Sequence, residues 1–378
     1  MDQTLYRIGI SGSYGGMNLG DEAILREVVR EVRRRLPAEI TVFSLNPDDT
    51  SRRHDVERAV PVRDLSRAEV ADELRALDLF ILGGGGILFD PDVRQYLREA
   101  QIAKDLGVPV MTWAVGVGPL VSRESRRLVL DVLNRVDLIT VRESSARLVL
   151  EDIGVTPEIH VTADPALLME PEPVAADAIA AEGFAGAPRV VGLSIREPGP
   201  AAPDLDVAHY HNLLANTADY LIERLDATVV FVPLERRIDL QHAHAVVSRM
   251  ANPERAHVLK GAYTSGQMLS LISRLDFAIG MRLHFLIFAA LARVPFVPLP
   301  YASKVGGFVR ALDIPVLPIQ QMNAGQLLAF VDRSWDRRRE LQANIDERLP
   351  PLIERSRHTG DLAVNLLEAA RPQSAPAV

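Results

Sequence analysis

Two Rossmann-like α/β domains in tandem are what this 378-residue sequence predicts, on three observations. Short apolar runs alternate with longer amphipathic stretches, the pattern of strand and crossover helix in a parallel sheet. The alternation runs through the chain as two series, with an Ala/Pro/Gly-rich stretch between them. The chain also exceeds the ~250–300 residues at which a single core stops growing.

In the first series Arg7 to Ser11 reads as a strand, Gly20 to Arg35 as a helix and Ile40 to Leu45 as the next strand. Leu77 to Leu82, Val108 to Ala114 and Leu138 to Val141 continue it, with helices near Pro91 to Leu106, Arg123 to Arg135 and Ser144 to Ile153. Residues 1–170 are therefore expected to form the N-terminal domain. Glu170-Pro171-Glu172-Pro173 and Gly183-Phe184-Ala185-Gly186-Ala187-Pro188 then flank a short helical piece, which places a linker at 171–188. A second series fills 189–334: strands at Val190 to Ile195, Thr228 to Pro233, His257 to Leu259, Phe277 to Ile279 and Phe296 to Leu299. Helices lie between them at His209 to Leu225, Asp239 to Met250, Ser265 to Ser273 and Leu283 to Ala292. The charged stretch from Trp335 to Leu367 is helical, within a C-terminal segment 335–378, and Arg337-Arg338-Arg339 reads as a solvated face. Two such units predict a GT-B-like pair facing each other across a cleft, lined by the loops beyond the carboxyl ends of the strands.

A net charge of −8 argues against a general nucleic-acid binder and means that an acidic substrate needs a local basic site. The absence of cysteine excludes disulfides, thiolate metal sites and cysteine nucleophiles. The N-terminus has no basic segment leading into an apolar one, and no apolar run approaches ~20 residues. A cytoplasmic protein is expected, with room for peripheral attachment at the inner face of a membrane.

Chemistry-bearing residues gather at predicted strand ends. After the first strand come Gly12-Ser13-Tyr14-Gly15-Gly16-Met17-Asn18-Leu19-Gly20-Asp21-Glu22, where glycines allow tight turns and Tyr14, Asn18, Asp21 and Glu22 offer groups for sugar hydroxyls. Asp21 and Glu22 also suit a helix N-terminus, so capping is an equal reading. The glycine spacing does not form G-x-G-x-x-G, which disfavours a nicotinamide cofactor. Leu82 leads into Gly83-Gly84-Gly85-Gly86: either a sharp turn or, at Gly84 and Gly85, backbone N–H groups open to a substrate. In the second half Arg196, Arg282, His284 and Lys304 all follow predicted strands, a concentration of positive charge that fits a dianionic or trianionic substrate. Arg282 and His284 straddle a helix start, where backbone N–H groups favour an anion. Arg142 follows another strand in the first half. The pairs His209/His211 and His242/His244 lack the i, i+4 spacing of helical zinc sites and read as surface histidines, so no metal is expected. No Gly-x-Ser-x-Gly elbow or P-loop occurs.

Taken in order, Asn18-Leu19-Gly20-Asp21-Glu22-Ala23-Ile24, Gly83 to Gly86, Gly116-Val117-Gly118-Pro119, Ala163-Asp164-Pro165, Ser194-Ile195-Arg196, Met281-Arg282-Leu283-His284 and Lys304-Val305 resemble the polysaccharide pyruvyl transferase family. The resemblance is closest to its CsaB-type bacterial cell-wall branch. It implies a GT-B-like enzyme without metal or redox cofactor that transfers pyruvate from phosphoenolpyruvate to a sugar as a 4,6-ketal, releasing phosphate. The implied acceptor is a β-linked N-acetylmannosamine residue of a lipid-linked saccharide, and the product anchors S-layer proteins. Arg196, Arg282, His284, Lys304 and Arg142 are then expected to hold phosphoenolpyruvate, with His284 as general acid. Asp21 or Glu22 is expected as base, and Tyr14, Asn18, Asp21, Gly84 and Gly85 at the acceptor. Where the family often has Asp and Pro, this chain has Ala302-Ser303, which bears on the acceptor. The alternative is a GT-B glycosyltransferase or sugar epimerase using a nucleotide sugar.

Overall fold

A computed structural model describes residues 5–90, 92–197, 206–299, 305–317 and 323–370. The chain divides into two compact units, residues 1–17, 21–168 and 352–378 in the first and 18–20 and 169–351 in the second.

In the first unit the order is β1 (Tyr6–Ser11), α1 (Leu19–Arg35), β2 (Ala38–Ser44), α2 (Pro47–Arg53), β3 (Arg58–Pro61), α3 (Arg67–Leu74), β4 (Leu79–Leu82), β5 (Gly85–Leu88), α4 (Val93–Asp105), β6 (Val110–Thr112), β7 (Val115–Val117), α5 (Arg123–Leu133), β8 (Ile139–Val141), α6 (Ser144–Ile153) and β9 (Ile159–Val161). Strands β3-β2-β1-β4-β6 form one sheet and β5-β7-β8-β9 another. Within both sheets every pairing is parallel. The runs Leu79–Leu82 and Val110–Thr112 are buried throughout, as strands covered on both faces must be. Phe43 and Phe80 meet edge-to-face at 5.8 Å in a core that includes Leu97 and Val110.

The expected strand Val108 to Ala114 is in fact two, because the chain breaks at Trp113-Ala114, where Ala114 takes a left-handed φ of 49°. The four glycines likewise span a break between two strands rather than a single turn, with Gly85 at φ 92° opening β5. The segments α2, β3 and α3 escaped the sequence because they are short, at seven, four and eight residues, and caps hold the two helices. Ser66 and Glu69 close a capping box on α3, and Asn46 caps α2.

The second unit contains α7 (Ala176–Ala181), β10 (Val190–Ser194), α8 (Val207–Leu225), β11 (Thr228–Phe231), α9 (Arg236–Val247), β12 (Ala256–Val258), α10 (Ser265–Ile272), β13 (Phe277–Gly280), α11 (Leu283–Leu291), β14 (Phe296–Pro298), α12 (Gly306–Ala311) and α13 (Ala324–Asp336). Its parallel sheet runs β12-β11-β10-β13-β14, the same reversal about the first strand as β3-β2-β1-β4-β6. Such reversals open a crevice at the carboxyl ends of the two central strands.

Three expectations on organisation change. Residues 171–188 are not a linker: Glu182 accepts from the backbone N–H groups of Lys260 and Gly261, each at 2.8 Å, and from the Tyr263 hydroxyl, which seats α7 on the second unit. The C-terminal segment is not separate either. The last helix, α14 (Arg338–Ala370), gives its start to the second unit and, from Leu352, its remainder to the first, where Arg35 holds Asp361 and Ser356 donates to the Asp164 carbonyl. Among the described residues no helix is long and apolar enough to cross a membrane. Finally, His211 is buried rather than on the surface, its Nε2 lying 2.9 Å from His242 Nδ1.

Burial, and then the charges of His242 and Arg249, hold the His211 pKa below its usual value. As pH falls through about 6.5 the unfolded chain takes up this proton first. The stability this site contributes is therefore present above that pH and lost on acidification. His211→Asn should show a smaller fall in melting temperature than the parent between pH 7.5 and 5.5, read by calorimetry; an unchanged slope would discount the pair.

Candidate active site

In the first unit the crevice beyond β1 and β4 is built around a tyrosine. Tyr14 folds back beneath the strand ends, fully buried, because glycines make room for its ring. A Cβ on Gly12 would sit 2.7 Å from the ring, and one on Gly83 would sit 2.0 Å from the hydroxyl oxygen. The loop is pinned on its other side. Gly15, at φ 77°, lies where a Cβ would be 2.3 Å from Ser44 Oγ, and its N–H donates to Glu22 Oε1 at 3.0 Å. Glu22 Oε2 is 2.8 Å from His54 Nε2, and both side chains are buried.

Both Glu22 oxygens are thus engaged in holding the loop, whereas Asp21, one residue earlier on α1, stays half-exposed beside Gly85. Burial, followed by the charges of Asp21, Glu22 and Asp164, pushes the Tyr14 pKa well up, so its hydroxyl remains a donor. Gly84 packs against Ile24 and the Trp113 carbonyl, which is a packing reason for a glycine there.

Arg142 belongs to this unit, whereas Arg196 and Arg282 belong to the second. It is buried against Gly116, 3.3 Å from Asp164 and 3.5 Å from Glu143. Burial alone would lower its pKa; Glu143 and Asp164 more than offset that, so the guanidinium stays charged.

The second unit's crevice lies beyond β10 and β13, and there Arg196, Arg282 and His284 follow the strand ends. Arg282 is the residue before α11 and is buried. Its Nε donates to Asp239 Oδ2 at 2.9 Å, and its Nη2 donates to Asp239 Oδ1 and, at 2.8 Å, to Glu235 Oε2. Asp239 Oδ2 also accepts from the backbone N–H groups of Leu234 and Glu235, which ties down the chain leading into α9. Burial would lower the Arg282 pKa, but Asp239 and Glu235 raise it further. Arg196 keeps much of its surface in solvent, yet its guanidinium sits among packed groups. Desolvation and then the like charge of Arg282 lower its pKa, against Asp239, Glu235 and Glu197. The Arg282 guanidinium is thus matched by the carboxylates of Asp239 and Glu235, so the crevice is far less positive than its arginines alone imply.

Asn18 is assigned to this unit. It forms an antiparallel bridge with Glu235, while Leu19 donates to the Leu234 carbonyl at 2.9 Å and accepts from Ser265 Oγ at 2.7 Å. The half-buried His284 ring lies over Gly20, where a Cβ would be 2.0 Å from Nδ1, which explains that glycine. Lys304 falls outside the described residues. Sequence reasoning missed His54 and Asp239. Only the Glu235/Asp239 spacing of four at a helix start signalled the second, and nothing local signalled the first.

With the geometry set out, known proteins can be compared. A sequence model of the polysaccharide pyruvyl transferase family matches residues 18–303. The amylovoran biosynthesis protein AmsJ of Erwinia amylovora is 23% identical over 293 residues, covering 73% of this chain and 70% of that protein. Among solved structures, the S. aureus MnaA–UDP co-structure superposes with a TM-score of 0.68 at 12% identity, over 96% of each chain. A putative UDP-N-acetylglucosamine 2-epimerase from Listeria monocytogenes gives 0.66 at 10% identity, over 99% of this chain and all of that one. A glycosyltransferase from Rickettsia africae gives 0.65 at 11%, over 98% of this chain and all of that one. These likenesses speak for the fold alone, which is of the GT-B type, built from two Rossmann-like domains.

Gly83→Ala should destabilise the protein by about 1–3 kcal/mol, since the new methyl overlaps the Tyr14 hydroxyl. Adding Tyr14→Phe should restore part of the lost melting temperature; equal loss in single and double variants would mean that the clash is not with Tyr14.

Proposed function

The chain belongs to the polysaccharide pyruvyl transferase family, whose activity is pyruvyl transfer to polysaccharide, and from this we propose that it forms a 4,6-ketal on a sugar using phosphoenolpyruvate. The observation that carries the reading is the placing of Arg196, Arg282 and the His284-bearing start of α11 at the strand reversal of one unit. A donor with a carboxylate and a phosphate suits guanidiniums and the N-terminus of a helix. We assign the donor to the second unit, with Lys304 as a further cation, and the acceptor sugar to Asp21, Tyr14 and the backbone at Gly85.

In this scheme His284 gives a proton to the methylene carbon of phosphoenolpyruvate, leaving an oxocarbenium-like centre at C2. One sugar hydroxyl attacks that carbon and surrenders its proton to a carboxylate, for which we propose Asp21 or Glu22. The C2–O bond to phosphate breaks with its electron pair going to the leaving group. The second hydroxyl then closes the ring, and its proton leaves with phosphate. One phosphoenolpyruvate and one diol thus give one ketal and one hydrogen phosphate, and the proton held by the carboxylate returns to His284 through solvent. No metal or redox cofactor enters. For the acceptor we propose β-linked N-acetylmannosamine in a cell-wall polysaccharide precursor, at the cytoplasmic face of the membrane.

Incubation with phosphoenolpyruvate and a panel of β-N-acetylmannosaminides should release phosphate in step with ketal formation; silence across the panel, with a thermal shift by UDP-sugars instead, would overturn the proposal in favour of nucleotide-sugar chemistry. His284→Gln should lower kcat about 10²–10⁴-fold while changing the affinity for phosphoenolpyruvate only a few-fold.

A further inference from the structure

We infer that Glu235 is a displaceable internal anion, whose carboxylate holds the Arg282 guanidinium until an anionic ligand takes its place. The inference rests on the reading of this crevice as the donor site and adds to it what sets the site's affinity and its preference for charge.

The two carboxylates on Arg282 are held very differently. Asp239 is buried and takes the guanidinium at both oxygens, and its Oδ2 also receives the N–H groups of Leu234 and Glu235. Removing it would free the backbone that leads into α9 and leave a buried arginine without its main partner, so it is part of the frame. Glu235 reaches Arg282 through Nη2 alone among its described contacts there, at 2.8 Å, and its side chain is 27% exposed against 1% for Asp239. Its backbone, in contrast, is fixed: the N–H goes to Asp239, and the residue bridges Asn18. A rigid backbone bearing a half-exposed carboxylate can swing that carboxylate into solvent without disturbing its surroundings.

Arg196 shares the cluster, feeling Arg282 as a like charge and Asp239 and Glu235 as opposite ones. Release of Glu235 leaves two guanidiniums against one carboxylate, a net positive site. The incoming ligand must out-compete an intramolecular carboxylate, so a neutral sugar or a singly charged acid competes poorly, whereas a ligand carrying both carboxylate and phosphate can engage both arginines. Glu235 thereby lowers the affinity of every anion that must take its place on Arg282, by the fraction of time the guanidinium is free of it.

The test is calorimetric titration of the parent protein, Glu235→Gln and Glu235→Ala with phosphoenolpyruvate, pyruvate and inorganic phosphate. Both variants should bind phosphoenolpyruvate about tenfold or more tightly, with a gain for inorganic phosphate and pyruvate wherever these also take the place of Glu235 on Arg282. Two variants of different size guard against a folding defect in one. If the parent binds phosphoenolpyruvate and neither variant binds it more tightly, Glu235 orients Arg282 rather than competing for it, and the inference is overturned. If no form binds phosphoenolpyruvate, the donor reading itself falls and takes this inference with it.

Discussion

The carboxylate of Asp239 is the point from which the second unit's crevice is built. It holds the backbone at the entry to α9 and fixes a guanidinium at once, so Arg282 is tethered and the start of α11 keeps its position after β13. A buried ion pair of this kind adds little net stability, since desolvating both charges costs about what their attraction returns. What it supplies is direction: a cation presented at one angle, at the place where the strand order reverses.

The first unit reaches a comparable rigidity by leaving side chains out. Gly12 and Gly83 admit the Tyr14 ring, Gly116 admits the Arg142 guanidinium, and Gly15 lets the loop press against Ser44. Each of these glycines would be costly in a regular element, and each is explained by the large or polar group that occupies the space where its Cβ would stand. The resulting crevice is acidic around Tyr14, suited to donating to and accepting from hydroxyls, in contrast with the arginine-bearing crevice of the second unit.

Much of this was legible in advance. Buried strands such as Leu79–Leu82 and Phe277–Gly280 announce themselves as apolar runs, and residues at their carboxyl ends could be named without coordinates. Pairings across long sequence distances could not. His54 meets Glu22 across 32 positions and Arg282 meets Asp239 across 43, and no local pattern encodes either. The Ala/Pro/Gly composition of 171–188 misled because composition reports conformational freedom in the unfolded chain, whereas Glu182 supplies a long-range anchor. His211 misled because spacing on one helix says nothing about a histidine on the next.

The segment Asn18–Gly20 is assigned to the second unit although the chain on both sides of it is assigned to the first. Together with the passage of α14 between units at Leu352, this makes both halves discontinuous in sequence. Recombination at a single crossover near residue 168 would therefore hand a new partner an incomplete module, lacking Asn18 against Glu235 and Gly20 beneath His284. Exchange of the two halves as cassettes would break contacts that hold a unit together, whereas substitution within a half leaves them in place.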